Sequence, residues 1–233
     1  MTPDGFEILY EQGPVLAVLK PAGVLTQAPP GIDSLELRIK RFLKAREEKP
    51  GNVYLAVIHR LDRPVSGVML FCKHVRAARK LSEQFEDRMV KKIYWAYVAG
   101  TPTEPAGTWT DYLRKIPGEP RSEIVDRAHP EGQLAILHYR TLTSSDQGSL
   151  LEIELETGRT HQIRLQSSAH GHPVWGDALY GSTVTFGPTT DDERARVIAL
   201  HARSIAFRHP MTQEPVALTA PLPAYWPTET PQA

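Results

Sequence analysis

One aspartate in this chain stands among cations. Asp62 lies between Arg60 and Arg63 in HRLDRPVSG, residues 59–67. A neighbouring guanidinium favours the ionised carboxylate, which can then serve as nucleophile or base. Taken alone, the trio is equally a surface ion pair worth little. Histidines invite a different chemistry: His170, His172 and Asp177 in AHGHPVWGD, with His161 nearby, have the composition of a two-His, one-carboxylate set. Gly171 and Pro173 set a turn among them, and no H-E-x-x-H or Cys/His pattern is present, so no metal is expected. Ser66 lacks a G-x-S-x-G elbow and reads as a turn residue. Neither GxxxxGK nor GxGxxG occurs, which disfavours a nucleotide cofactor.

Asp62 needs elements to hold it. VYLAVI before it and GVMLFC after it read as strands from their β-branched and aromatic content. FEILYEQGPVLAVLKPAG reads as two more, turning at Gly13-Pro14. Residues 33–47 place Leu35, Ile39, Phe42 and Leu43 on one helical face, with Asp33 or Ser34 as N-cap. Residues 75–89 do the same with Val75, Ala78, Leu81, Phe85 and Met89. KKIYWAYVAG, GTWTDYLRK, LAILHYRTLT and SLLEIELET follow as strands, and VIALHARSIAFRHP and EPVALTAP close the chain. Between these groups THQIRLQSSAHG fits a short helix, capped by Thr160 and stopped by Gly171.

The pattern is α+β, an antiparallel meander with inserted helices. The polar breaks at 101–107 and 182–192 are too short for linkers. A single domain over 1–233 is expected, with its core at about 5–220 and a proline-rich tail ending in a frayed terminus.

Composition narrows the class. With 233 residues, 41% hydrophobic and 23% charged, the chain reads as an ordinary soluble globular protein. Its 27 basic and 27 acidic residues exclude a protein that coats nucleic acid by bulk charge. A local basic cleft stays open: Arg38, Lys40, Arg41, Lys44 and Arg46 cluster in one segment, and residues 73–92 hold a second group. No apolar run reaches the roughly 20 residues of a membrane span, and the N-terminus has no secretory pattern. Cys72 is the single cysteine, so no intrachain disulfide forms and a cytoplasmic location is expected.

The motifs, taken in order, decide the reading of Asp62. Lys20-Pro21-Ala22-Gly23, the H-R-L-D-x-x-x-S-G of residues 59–67, the K-x-Y-x-A-x-V-x-G of residues 92–100, T-G-R-T-H-Q-I-R at 157–164, G-D-x-x-Y-G at 176–181 and Leu200-His201-Ala202 succeed one another along nearly the whole chain. In this the sequence resembles the RluA-type pseudouridine synthases. It departs at Val65, where the family has threonine, and at Gln166, where many members have histidine. These departures bear on substrate contacts rather than activity.

The resemblance implies a pseudouridine synthase fold, a mainly antiparallel mixed sheet flanked by helices with a central active-site cleft. It implies isomerisation of uridine in a stem-loop of ribosomal or transfer RNA, with no cofactor because nothing is oxidised or consumed. Asp62 is then the essential carboxylate, with attack at C1′, attack at C6 and deprotonation of the ribose all open. Arg164 is its ion-pair partner, and Tyr94 stacks on the base and assists proton removal at C5. Leu200 walls the pocket, and Arg60 fills the space left by the flipped base. His59, Arg63, Arg159, His161 and Gln162 are further RNA- or substrate-binding positions. A monomer without an N-terminal S4 domain is expected, since K-P-x-G begins at residue 20. The alternative is a catalytically silent RNA-binding protein that keeps the fold.

Overall fold

The computed structural model describes residues 5–48 and 50–227. The expected frayed end, residues 228–233, lies outside them. In chain order the elements are β1 (Glu7–Gln12), β2 (Val15–Lys20), α1 (Leu35–Arg46), β3 (Ala56–Val57), β4 (Ser66–Cys72), α2 (Val75–Glu86) and β5 (Lys91–Ala99). They continue as β6 (Ala106–Lys115), β7 (Ser122–Val125), β8 (Gln133–Ser145), β9 (Gly148–Leu155), α3 (Gln162–Ala169), β10 (Leu200–Arg208) and β11 (Pro215–Thr219). Short 3-10 turns occupy Ala178–Tyr180 and Glu193–Ala195. The fold is α+β, as the sequence pattern predicts.

The chain divides into two compact units. The first comprises residues 1–92, 190–195 and 202–222; the second comprises 93–189, 196–201 and 223–233. In the first, β1, β2 and β4 pair antiparallel, β3 adds to β4, and β10 pairs with β11. VLAVLK and SGVMLFC are apolar almost throughout because β2 and β4 lie inside the sheet and are buried nearly end to end. Gly67 has φ +127°, and a Cβ there would come within 2.4 Å of the Ala202 carbonyl oxygen, so only glycine permits this approach. Helix α1 buries Leu35, Ile39, Phe42 and Leu43, the expected face. Ser34 is its N-cap, accepting the Leu37 N–H.

In the second unit β5, β9, β8, β6 and β7 form an antiparallel run. Leu113, Ala135, Leu165 and Tyr180 make a core cluster in which α3 takes part.

Four local expectations change. VYLAVI is strand only at Ala56–Val57. Helix α2 ends at Glu86, and Arg88 follows with φ 57°, so Met89 leaves the helical face and is 57% exposed. Val75, the first residue of the helix, is 62% exposed; Ala77, Ala78, Leu81 and Gln84 form the buried face instead. Helix α3 starts after His161, which adopts φ 56° and ψ 24°, and Thr160 does not cap it. Strand β7 lies in a stretch whose charged and proline-rich sequence hid it. No helix among the described residues is long and apolar enough to cross a membrane.

Candidate active site

The aspartate turn lies within the first unit. Residues 62–65 close with the Val65 N–H donating to the Asp62 carbonyl at 3.1 Å. Lys20, at the end of β2, is fully buried beneath it. Its Nζ donates to the carbonyls of Val65 (2.7 Å), Pro21 (3.0 Å) and Arg63 (3.2 Å). Those three acceptors match the three N–H bonds of an ammonium, one more than a neutral amine offers. Burial pushes Lys20 down to about 7, with the Asp62 charge opposing and Arg63 adding to the fall. The Gly23 N–H also donates to the Arg63 carbonyl (2.8 Å), and Thr26 Oγ1 donates to the Leu61 carbonyl (2.8 Å). The K-P-x-G loop and Thr26 therefore grip the backbone on both sides of Asp62.

Side chains of the same stretch divide by exposure. Arg60 is exposed, whereas Asp62 and Arg63 are half-buried. Arg63 Nε is buried with no acceptor among the described residues. The contacts of His59 are internal: Nε2 accepts the Leu70 N–H at 2.9 Å, and the ring stacks on Phe85 at 5.0 Å. Burial, with the Lys92 charge second, pushes His59 down to about 3, so it is a neutral acceptor. Val65 is buried, and its carbonyl is one of the Lys20 acceptors.

Within the second unit a guanidinium is fixed in place. Arg164, in the first turn of α3, donates through Nε to Asp177 Oδ2 (2.6 Å) and through Nη2 to Asp177 Oδ1 (2.8 Å). The pair is almost dry, with side chains 6% and 2% exposed. A bidentate fork of this kind fixes the plane as well as the place of the guanidinium. Tyr180 lies 5.1 Å under its carbon, and Tyr180 Oη lies 2.8 Å from His161 Nδ1 while accepting the Ser122 N–H.

Gln162 organises the T-G-R-T-H-Q turn. Its Oε1 accepts from Thr157 Oγ1 (2.8 Å) and the Arg159 N–H (2.9 Å), and its Nε2 donates to the Ile136 carbonyl (3.0 Å). Arg159 Nε donates to the Leu134 carbonyl at 2.9 Å. Gln166 is fully buried, its Nε2 donating to Asp111 Oδ2 (2.7 Å) and to two backbone carbonyls, while its Oε1 has no hydrogen-bond partner among the described residues. Tyr94 and Leu200 are buried on β5 and at the start of β10. The residues weighed for a metal have other partners: His170 Nε2 lies 3.1 Å from Asp111 Oδ2, and His172 Nδ1 lies 3.0 Å from the Ala99 carbonyl.

Tyr180, Lys20 and Thr26 are supporting residues to which the sequence assigned no role, and Asp177, weighed there as a metal ligand, is instead the partner of Arg164. Lys20 stands in K-P-x-G, and Asp177 and Tyr180 in G-D-x-x-Y-G.

A family model described as RNA pseudouridylate synthase matches residues 14–169. The chain belongs to this family. The matched region holds the aspartate turn, Lys20, Tyr94 and Arg164, and stops short of Asp177 and Leu200. Among RNA pseudouridylate synthase relatives, an uncharacterized RNA pseudouridine synthase of Bacillus subtilis is 33% identical over 221 residues, covering 94% of this chain and 69% of the relative. The ribosomal large subunit pseudouridine synthase D of Xanthomonas campestris is 34% identical over 223 residues, covering 93% and 66%. The chain spans about two thirds of the length of the curated relatives it matches. Among solved structures, human RNA pseudouridylate synthase domain containing 4 superposes with a TM-score of 0.76 over 94% of this chain and 89% of that one. At 23% identity it shows the shared fold.

Proposed function

We propose that this chain converts uridine to pseudouridine in structured ribosomal or transfer RNA, with Asp62 as the essential carboxylate. The observation that carries this reading is the buried Lys20 clamp. Three carbonyl contacts and a desolvated ammonium are spent on holding a four-residue turn whose one acidic side chain is Asp62. A turn that only shed charge into solvent would not need such support.

In the reaction the N1–C1′ bond breaks, the uracil turns, and C5 bonds to C1′. The proton lost from C5 is balanced by one gained at N1, so the product is an isomer and no co-reactant is required. Arg164 serves as the cation of the reaction, the role that the family resemblance implies. Asp177 supports that role by holding Nε and Nη2, which directs the remaining edge of the guanidinium. Tyr94 stacks on the base, and Leu200 forms an apolar wall. The target base must leave its stack, at a cost of a few kcal/mol. Arg60, which is exposed beside the turn, fills the gap by stacking its planar guanidinium.

Asp62→Asn tests the reading. It should abolish pseudouridine formation on ribosomal and transfer RNA transcripts while leaving the unfolding midpoint and RNA affinity close to the parent. Appreciable turnover by this variant would remove Asp62 from the chemistry. A parent chain that binds RNA and forms no pseudouridine would favour the silent RNA-binding protein.

A further inference from the structure

Three backbone hydrogen bonds in the second unit close a ring. The Tyr97 N–H donates to the Ala199 carbonyl (3.0 Å), the Ala199 N–H to the Trp175 carbonyl (2.9 Å), and the Trp175 N–H to the Tyr97 carbonyl (2.9 Å). The ring joins β5, the turn around residue 175 and the segment entering β10. Each segment of it carries a group of the candidate site: Tyr94 lies three residues before Tyr97 on β5, Asp177 two residues after Trp175, and Leu200 adjoins Ala199. The side chains reinforce the ring, since Tyr97 stacks on Trp175 with centroids 5.0 Å apart.

The C-terminal segment covers it. Trp226 is 5% exposed. Its ring centroid lies 5.7 Å from Tyr97, 5.7 Å from Phe186 and 5.9 Å from His201. The Trp226 N–H donates to the Pro223 carbonyl, folding the segment back on itself, and Tyr225 packs edge-on against Phe186. Trp226 Nε1 has no acceptor among the described residues, so the side chain contributes ring packing and no hydrogen bond. This segment lies beyond residues 14–169, the stretch that the family model matches.

We propose that Trp226 is a positioning residue for uridine isomerisation. By packing on Tyr97 and His201 it holds the backbone ring in register, and through the ring it sets Tyr94, Asp177 and Leu200. The proposal rests on the function proposed above. Misplacing a group by about 1 Å lowers turnover by about 100-fold in sites of this kind, so loss of the indole should be visible in kcat.

The test uses the full chain with Trp226→Ala and Trp226→Phe, the latter keeping an aromatic ring and losing no hydrogen bond. Amide hydrogen exchange is read at Tyr97, Trp175 and Ala199, with the buried β8 and β9 amides of Leu137 and Ile153 as internal references. Turnover is measured on an RNA that the parent modifies. Trp226→Ala should speed exchange at the three ring amides by about 10-fold or more with the references unchanged, and lower kcat by about 10- to 100-fold with little change in KM. Trp226→Phe should restore both. Uniform acceleration at every amide, an undisturbed ring, or a loosened ring with full kcat would each overturn the proposal. If the parent converts no uridine, the functional reading falls by itself, and the exchange pattern alone decides whether the tail holds the ring.

Discussion

Removing the charge of Asp177 while keeping its shape isolates the buried pair from everything around it. In Asp177→Asn the Arg164 guanidinium stays buried and meets an amide that accepts at one position and presents N–H bonds at the other. With charge centres roughly 4 Å apart and an effective dielectric of about 20, the lost attraction is about 4 kcal/mol. This agrees with the about 3–5 kcal/mol lost when a buried pair is broken from one side. Followed by circular dichroism in urea, with a slope of about 3 kcal/mol per M, the midpoint should fall by about 1–1.5 M. Pseudouridine formation should fall as well, because the two-bond fork that fixes the guanidinium plane is then broken. The double variant Arg164→Met/Asp177→Leu separates the two effects. Replacing a buried pair by apolar residues is often neutral or stabilising by about 1–4 kcal/mol, so the midpoint should recover while activity stays lost. A single variant within about 1 kcal/mol of the parent, or a double variant that forms pseudouridine, would refute the reasoning.

Three further outcomes are expected. Lys20→Met leaves the carbonyls of Pro21, Arg63 and Val65 without their shared donor, which should cost about 2–4 kcal/mol and lower kcat more than RNA affinity; an unaltered kcat in the folded variant would count against the clamp. His59 is held down to about 3 in the folded chain, so between about pH 3 and 6.5 the unfolded chain binds more protons and stability rises with pH by up to about 1.4 kcal/mol per unit. That contribution is fully present above the unfolded value and lost as pH falls; His59→Gln should flatten the stability slope between about pH 5 and 6.5, and an unchanged slope would sink the assignment. Arg60→Ala, at an exposed position, should weaken productive RNA engagement with a stability change within about 0.5 kcal/mol, and equal RNA affinity and rate would remove its stacking role.

Most of the strands were legible in the sequence, because period and β-branched content are local properties that burial then reinforces. The sequence also determined the helix face of Leu35, Ile39, Phe42 and Leu43, and the motif order that marks the family. Local pattern could not tell that VYLAVI stays mostly outside the sheet, or that a left-handed Arg88 turns Met89 into solvent, because pairing partners and chain reversals decide both. Nor could it assign work within a motif. Gln162, read as a substrate contact, is bonded to Thr157, Arg159 and Ile136, and His59 spends its acceptor on Leu70. Asp177 and Lys20 sit 13 and 45 residues from Arg164 and Val65, the partners they fix. Only a folded chain brings a carboxylate and a guanidinium, or an ammonium and three carbonyls, within 3 Å or so. The residues proposed for the chemistry were legible as letters; the groups that hold them in place are a property of the fold, since a buried charge is tolerable only where the tertiary structure supplies its partner.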